Sequence, residues 1–430
     1  MSQSTPLVSY KTLNAALSKP ESVAGTQKEA ESSSPEQAAA MIASVNFALA
    51  KLEEASQGRD DQVLVTIDHR VASLLQSYMG EQAAKANQAD SIGTDVHGNE
   101  QYEAKFDDKD YLAWVGSFFS WWKGIIDHPW LENPQTHRFG NDDKVAVLGD
   151  WGTGMYGAPL CAQTIENNDY PVRVHLGDVY YSGNKDEVRD RFLNIWPKNK
   201  TGAEINRACN SNHEMYTGGH AYFNHTLSTF GQSASYFALE NDYWILAGID
   251  TAYKAKDLAG DQVTWLEGLV ARAANQKRIL LFSHHQPWSP FDGGHEKVTN
   301  KLGTLLSNHK IFGWYWGHEH RCVIYDQHPA WNLYGRCIGH GGYAAFRDPV
   351  ANATTLDGAG YEGTVWKQLD AKNAAPQGRI LDGPNFYLHP QGDPNKYGPH
   401  GYLTLKFDNE HLTEIIHAPD GTELYNKPLI

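Results

Sequence analysis

An α/β fold, preceded by a mainly helical region, is predicted by three features of this 430-residue chain. Five short apolar runs end in polar groups: VAVLGD (145–150), YPVRVHLGD (170–178), YWILAGID (243–250), RILLFSHH (278–285) and IFGWYWGHEH (311–320). Helical stretches such as DQVTWLEGLVARAANQ (261–276) lie between several of them. Before Lys144 the apolar residues recur instead at helical spacing. Alternating strands and helices build sheets with helices on their faces, and such sheets carry their chemistry at the carboxyl ends of strands.

Taken in order, residues 20–36 (PESVAGTQKEAESSSPE) are polar and poor in bulky apolar groups, which reads as a linker. Ser34 and Pro35 suit the cap and first turn of a helix, and Ile42, Val45, Leu49 and Leu52 follow on one face before Gly58. A second helix runs through Val71, Leu74, Leu75 and Tyr78. A third carries Tyr111, Trp114, Phe118, Trp121 and Ile125 on one stripe, the pattern of a docked helix far more often than of a membrane-surface one. Residues 1–140 are therefore expected to be a mainly helical region laid against a domain spanning 141–430. At the C-terminal end, HGYLTLKFDNEHLTEIIHAPDGTELYN reads as strands joined by turns, with Asp420-Gly421 as the hairpin signal.

Bulk composition narrows the functional classes. With 41% hydrophobic residues and 13 Trp, 22 Tyr and 15 Phe, the chain has ample material for a core. A net charge of −15 argues against a nucleic-acid-binding surface. A small anionic substrate stays compatible with that charge, because a bound metal pair inverts the local potential. Cys161, Cys209, Cys322 and Cys337 are scattered without C-x-x-C spacing and read as reduced thiols. The start shows no basic segment followed by an apolar one, and the longest apolar candidate, residues 111–126, contains Lys123. A cytoplasmic protein without a membrane span is the default expectation, with non-classical export leaving no mark to read.

Four runs end in residue types that bind metals: Gly149-Asp150, Gly177-Asp178, Asn212-His213-Glu214 and Gly317-His318-Glu319-His320. A fifth offers His284-His285. Any one of these has a dull explanation as a turn, a cap or a hydrogen-bonded structural histidine. Five in this order are hard to explain that way.

The series GDWG (149–152), GDVYYSG (177–183), SNHE (211–214), SHHQPWS (283–289) and GHEH (317–320) resembles the calcineurin-like metallophosphoesterase superfamily over about residues 144–430. That resemblance implies a β-sandwich of two mixed sheets flanked by helices, with two metals at the sheet edge. Most of the superfamily has D-x-H in the first motif, where this chain has Gly152. The purple acid phosphatase branch also lacks that histidine, and uses a tyrosine three residues after the second motif's aspartate. That position is Tyr181 here, with Tyr180 expected on the opposite face. A second departure is Ser211 in place of the usual glycine.

Carried over residue by residue, the resemblance implies a first metal held by Asp150, Asp178, Tyr181 and His320, and a second held by Asp178, Asn212, His284 and His318. Asp178 would bridge them. Hard anionic donors favour Fe(III) in the first site, with divalent Fe, Zn or Mn in the second; an all-manganese pair is also compatible. Two cations roughly 3.5–4 Å apart can clamp an in-line displacement at phosphorus. His213 is then placed to hydrogen-bond the phosphate and protonate the leaving oxygen. Counting back from Trp288-Ser289 selects His284 as ligand, whereas counting H-x-P back from Pro287 selects His285. His284 is the expected ligand, with His285 near the substrate. The activity so implied is hydrolysis of phosphate monoesters on a small phosphorylated substrate. A phosphodiesterase or nucleotide hydrolase would use the same metals, and a metal-free scaffold binding a partner through the helical region is the rival from another class.

Overall fold

The computed structural model describes residues 5–17, 35–106, 117–199, 204–274 and 276–430. Most of the expected linker, and Tyr111 and Trp114 of the aromatic stripe, lie outside the described residues.

Two mixed sheets pack face to face. The six-stranded sheet runs in the order Glu423–Pro428, His411–His417, Tyr402–Asp408, Lys144–Leu148, Val172–His175, Ile205–Ala208. Its last three strands are parallel and the C-terminal three antiparallel. The hairpin turn at Asp420-Gly421 is closed by the Ala418 N–H donating to the Thr422 carbonyl. The ten-stranded sheet is built on the parallel run Trp244–Gly248, Arg278–Ser283, Gly313–Trp316, Tyr334–Ile338. Thr136–Arg138 and Phe237–Glu240 extend one edge, and Cys322–Tyr325, Gly378–Asp382, Val365–Leu369 and Thr355–Gly358 extend the other.

Strands covered on both faces become continuous apolar runs instead of alternating ones. Lys144–Leu148 and Arg278–Ser283 are accordingly buried at every position after the first. Between the sheets lie Val145, Val147, Val174, Leu280, Phe282, Tyr315 and Leu403. The helix Gln262–Ala273 covers the outer face of the large sheet through Leu266 and Leu269, and the helix Ala158–Asn167 covers the small one through Cys161 and Ile165. One ion pair crosses the sandwich: Arg336 Nη2 lies 2.8 Å from Glu414 Oε2, both nearly fully buried, and the Tyr315 hydroxyl donates to Glu414 at 2.8 Å.

Ahead of the sandwich lie the helices Tyr10–Leu17, Pro35–Ser56 and Arg70–Ala86 and a helical turn over 117–123. Leu13, Leu52, Leu74, Leu75 and Phe118 form one cluster with Tyr156, Tyr180, Tyr181, Tyr216 and Tyr343 of the sandwich, so this region is docked and its apolar faces are shared. The antiparallel hairpin Ala89–Thr94 with Glu100–Ala104 was not anticipated. Its strands are mostly polar and only partly buried, and its turn is organised by Asp95 Oδ1 accepting from the His97 and Asn99 N–H groups. Among the described residues, no helix is long and apolar enough to cross a membrane. All four cysteines are buried and unpaired.

Candidate metal centre

Five parallel strands, three from one sheet and two from the other, release their carboxyl ends at a common edge. Asp150, Asp178 and Asn212 leave the strands ending at Leu148, His175 and Ala208; His284 and His318 leave those ending at Ser283 and Trp316. The chain turns sharply there. Asp150 (φ 54°), Asp178 (φ 78°), His318 (φ 71°) and His320 (φ 54°) all hold the left-handed backbone that side chains with a Cβ avoid. Such strain concentrates where a structure must aim particular groups. Close approach adds to it: a Cβ on Gly177 would lie 2.8 Å from His284 Nδ1, and one on Gly317 would lie 2.6 Å from Asp150 Oδ2.

Two points of crowded acceptors result. At the first, His284 Nε2 lies 2.8 Å from Asn212 Oδ1, 3.1 Å from His318 Nδ1 and 3.2 Å from Asp178 Oδ1. His284 Nδ1 is committed to the Leu176 carbonyl at 2.9 Å, which makes it the protonated nitrogen and turns the Nε2 lone pair inward. At the second point, the Tyr180 hydroxyl lies 3.1 Å from Asp150 Oδ1, 3.0 Å from Asp178 Oδ2 and 2.9 Å from His320 Nε2. One phenolic proton cannot serve three acceptors. Asp178 gives one oxygen to each point, and its Oδ1 is buried with no hydrogen-bond partner. Buried acceptors without donors are costly unless a cation joins them, so the donor set fits two metal ions sharing Asp178.

Electrostatics agree. Burial and the neighbouring Asp178 charge push the Asp150 carboxyl well above its usual range. Burial opposes ionisation of Asp178 too, but positive charge on the His284, His213 and His318 imidazoles when they are protonated, and the Ser211 hydroxyl, hold its carboxyl low. Burial lowers His318 and brings His320 down to about 4, so both imidazoles are neutral and able to bind metal at neutral pH. Burial and the two carboxylates push the Tyr180 phenol up.

Of the positions expected from sequence, Asp150, Asp178, Asn212, His284, His318 and His320 meet at these two points. Tyr181 does not. Its hydroxyl accepts from the Val8 N–H at 3.0 Å and its ring lies under the Arg191 guanidinium, 4.9 Å away. Tyr180 takes the place expected for Tyr181. Consecutive side chains leave the chain in different directions, so only one tyrosine can face the cluster, and docking of residues 5–9 supplies Tyr181 with a partner outside it. His213 is buried beside the cluster, with Nε2 3.9 Å from Asp178 Oδ2 and Nδ1 hydrogen-bonded to the Tyr181 carbonyl. His285 Nδ1 pairs with Thr251 Oγ1 at 2.9 Å, while its Nε2 is buried without a partner and faces the His284–His318 side.

A cleft of about 320 Å³ opens onto the cluster, lined by His213, His318, His320, His295, Lys256 and the segment Thr66–Asp68. Sequence reasoning missed Tyr180, Lys256 and Asp68. For Asp68, two residues before the helix Arg70–Ala86, the sequence offers only the signal of an acid near a helix start.

No protein-family model matches the chain, and no curated protein does. Among solved structures it is similar to a purple acid phosphatase from yellow lupin (Lupinus luteus) seeds, at 13% identity and TM-score 0.46, over 66% of this chain and 53% of the lupin chain. A protein described as the anchor in the inner membrane complex of Plasmodium aligns at 11% identity and TM-score 0.45, over 66% of this chain and 88% of that one. A dimetal phosphatase from Danio rerio aligns at 10% identity and TM-score 0.40, over 67% and 98%. The chain thus spans about half the length of the lupin enzyme. At these identities and scores the likenesses assign no activity to this chain.

Proposed function

We propose that this chain is a dinuclear metallophosphoesterase that hydrolyses phosphate monoesters, with a centre of the purple acid phosphatase kind. The observation that carries the reading is the pair of crowded acceptor points sharing one carboxylate. Asp150, Asp178, Tyr180 and His320 would hold the first ion, and Asp178, Asn212, His284 and His318 the second. A phenol and two carboxylates suit Fe(III); the second set suits divalent Fe, Zn or Mn, and manganese in both sites is the alternative. When bound, two such ions polarise the phosphate ester and lower the pKa of attacking water.

The chain's own groups do the rest. His213 donates Nδ1–H to the Tyr181 carbonyl, which leaves Nε2 aimed at the cleft. From there it hydrogen-bonds a phosphate oxygen and, when protonated, passes its proton to the leaving oxygen. His285, with its unpartnered Nε2, is the second imidazole available to substrate. A groove of about 600 Å³ shares Ile67 and Asp68 with the cleft, and its room for a larger leaving group favours a nucleotide or diester as the second reading.

Metal analysis of protein purified without chelator, combined with turnover of p-nitrophenyl phosphate and of its bis ester, tests both. Two metal equivalents and faster monoester cleavage are expected. Faster cleavage of the bis ester would select the second reading. Less than half an equivalent, with no hydrolysis after reloading, would leave the scaffold reading. His213→Ala should keep both metals while turnover falls about 10²–10⁴-fold.

A further inference from the structure

The N-terminal region does more than cover the sandwich. Its segment 64–68 crosses the rim of the cleft and is held by hydroxyls from below. The Leu64 N–H donates to Tyr156 at 2.8 Å, the Thr66 N–H donates to Tyr343 at 3.1 Å, and Tyr343 returns its proton to the Thr66 carbonyl at 3.0 Å. These three hydrogen bonds to two tyrosine hydroxyls leave little freedom for the residues that follow. Gln76 Nε2 adds a bond to the Val65 carbonyl at 2.7 Å from the helix behind.

That placement delivers Asp68. Its Oδ1 accepts from Asn212 Nδ2 at 3.0 Å and from the Tyr216 hydroxyl, and its Oδ2 accepts from Lys256 Nζ at 3.1 Å. Asn212 Nδ2 also donates to the Tyr216 oxygen at 3.0 Å, so both amide protons are committed away from the cluster. An amide can present either oxygen or nitrogen after a half-turn, and only the oxygen binds a cation. With its nitrogen engaged, Asn212 has its Oδ1 turned toward His284 Nε2.

We propose that Asp68, contributed by the N-terminal region, is a positioning residue for Asn212: it fixes the amide so that oxygen faces the second metal, and it pins Lys256 at the mouth of the cleft. The role rests on the two-metal reading above. Partners of this kind, one bond removed from the metal, are worth about 10–100-fold in metal affinity when deleted.

The test is Zn(II) titration of the metal-stripped, full-length protein against a chromophoric chelator, with thermal melts in parallel. Wild type should show two sites. Asp68→Ala should weaken one site about 10–100-fold and leave the other unchanged. Asp68→Asn, whose oxygen can still accept from Asn212 and Tyr216, should stay close to wild type. Thr66→Ala, which loosens the same segment by removing its hydroxyl bond to Ser73, should alter neither site. Two wild-type sites with unchanged affinity in Asp68→Ala overturn the positioning role alone. Equal weakening of both sites, or the same loss in Thr66→Ala, overturns it in favour of general support. A wild type that binds no Zn(II), and no other divalent ion, overturns the two-metal reading and the role of Asp68 together.

Discussion

Two of the polar clusters that the molecule buries handle charge in opposite ways. Arg336 and Glu414 close on each other between the sheets: Arg336 Nε lies 2.9 Å from both carboxylate oxygens, Nη1 donates to the Tyr325 carbonyl, and Tyr315 supplies a further donor. Every strong acceptor there has a proton to receive. At the sheet edge the reverse holds: two carboxylates, an amide oxygen and three inward-facing imidazoles converge with too few protons to share. Both clusters are largely buried, although Asn212, His318 and His320 are partly open to the cleft, so burial alone does not tell a structural cluster from a functional one. Charge closure does. A cluster that satisfies itself holds the fold together, and one that leaves a deficit is waiting for a ligand.

The sharpest way to separate them is Asp150→Asn. Metal content and hydrolysis should both collapse, while the metal-free protein should melt at the same temperature or a little higher. The raised Asp150 pKa means the folded state keeps a proton that the unfolded state has lost. Metal-free stability should therefore fall as pH climbs above about 4, the unfolded value, and the Asn variant should flatten that fall. An unchanged pH profile would show that Asp150 carries no buried-charge penalty.

Arg336→Met is the counterpart at the closed cluster. Removing one partner strands Glu414 and should cost about 3–5 kcal/mol of stability, read from denaturant unfolding, with metal stoichiometry per folded chain unchanged. Adding Glu414→Leu should recover much of that loss, since an apolar pair of similar volume replaces a desolvated ion pair at little cost. No recovery would mean that the pair does more than close its own charge.

Chelation should act only at the open cluster. Stripping metal held at a thousand times its Kd lowers stability by about 4 kcal/mol, and reloading restores it. The same drop should appear in Arg336→Met, because distant sites add. Non-additivity would link the two clusters.

The smallest effects distinguish the tyrosines. After iron loading and mild oxidation, Tyr180→Phe should abolish any visible phenolate-to-iron band and weaken the first site. Tyr181→Phe should keep the band and cost about 1 kcal/mol of stability through the lost Val8 hydrogen bond. A band that survives Tyr180→Phe and vanishes in Tyr181→Phe would reverse the assignment made from the geometry.

What the sequence made legible follows from local chemistry. Continuous apolar runs capped by Asp, Asn or His mark strands buried on both faces and leaving the sheet at a polar edge, which is why the strand ends near 150, 178, 284 and 318 could be named in advance. Where two neighbours share a residue type, spacing fails. In the proposed centre, His284 is preferred over His285 through its bond to the Leu176 carbonyl, and Tyr180 over Tyr181 because the Val8 N–H engages Tyr181, both contacts between segments far apart in the chain. Asp68 was invisible for the same reason, since its meaning comes from Asn212, 144 residues away. The hairpin near residue 95 was hidden because its strands are mostly polar, with Ile92 and Ala104 the only apolar side chains of the pair shown against the core, too few to impose a visible alternation.

The tyrosine anchors of segment 64–68 also set a schedule for biosynthesis. Thr66 and the Tyr343 hydroxyl that holds it are 277 residues apart. At about 5–20 residues per second, a ribosome needs roughly 14–55 s to deliver the second after the first. Tyr156, Tyr180, Tyr181 and Tyr216 of the shared cluster are made within that interval, and Tyr343 comes at its end. The rim of the cleft at Thr66 therefore gains its Tyr343 anchor only after Tyr343 has been made.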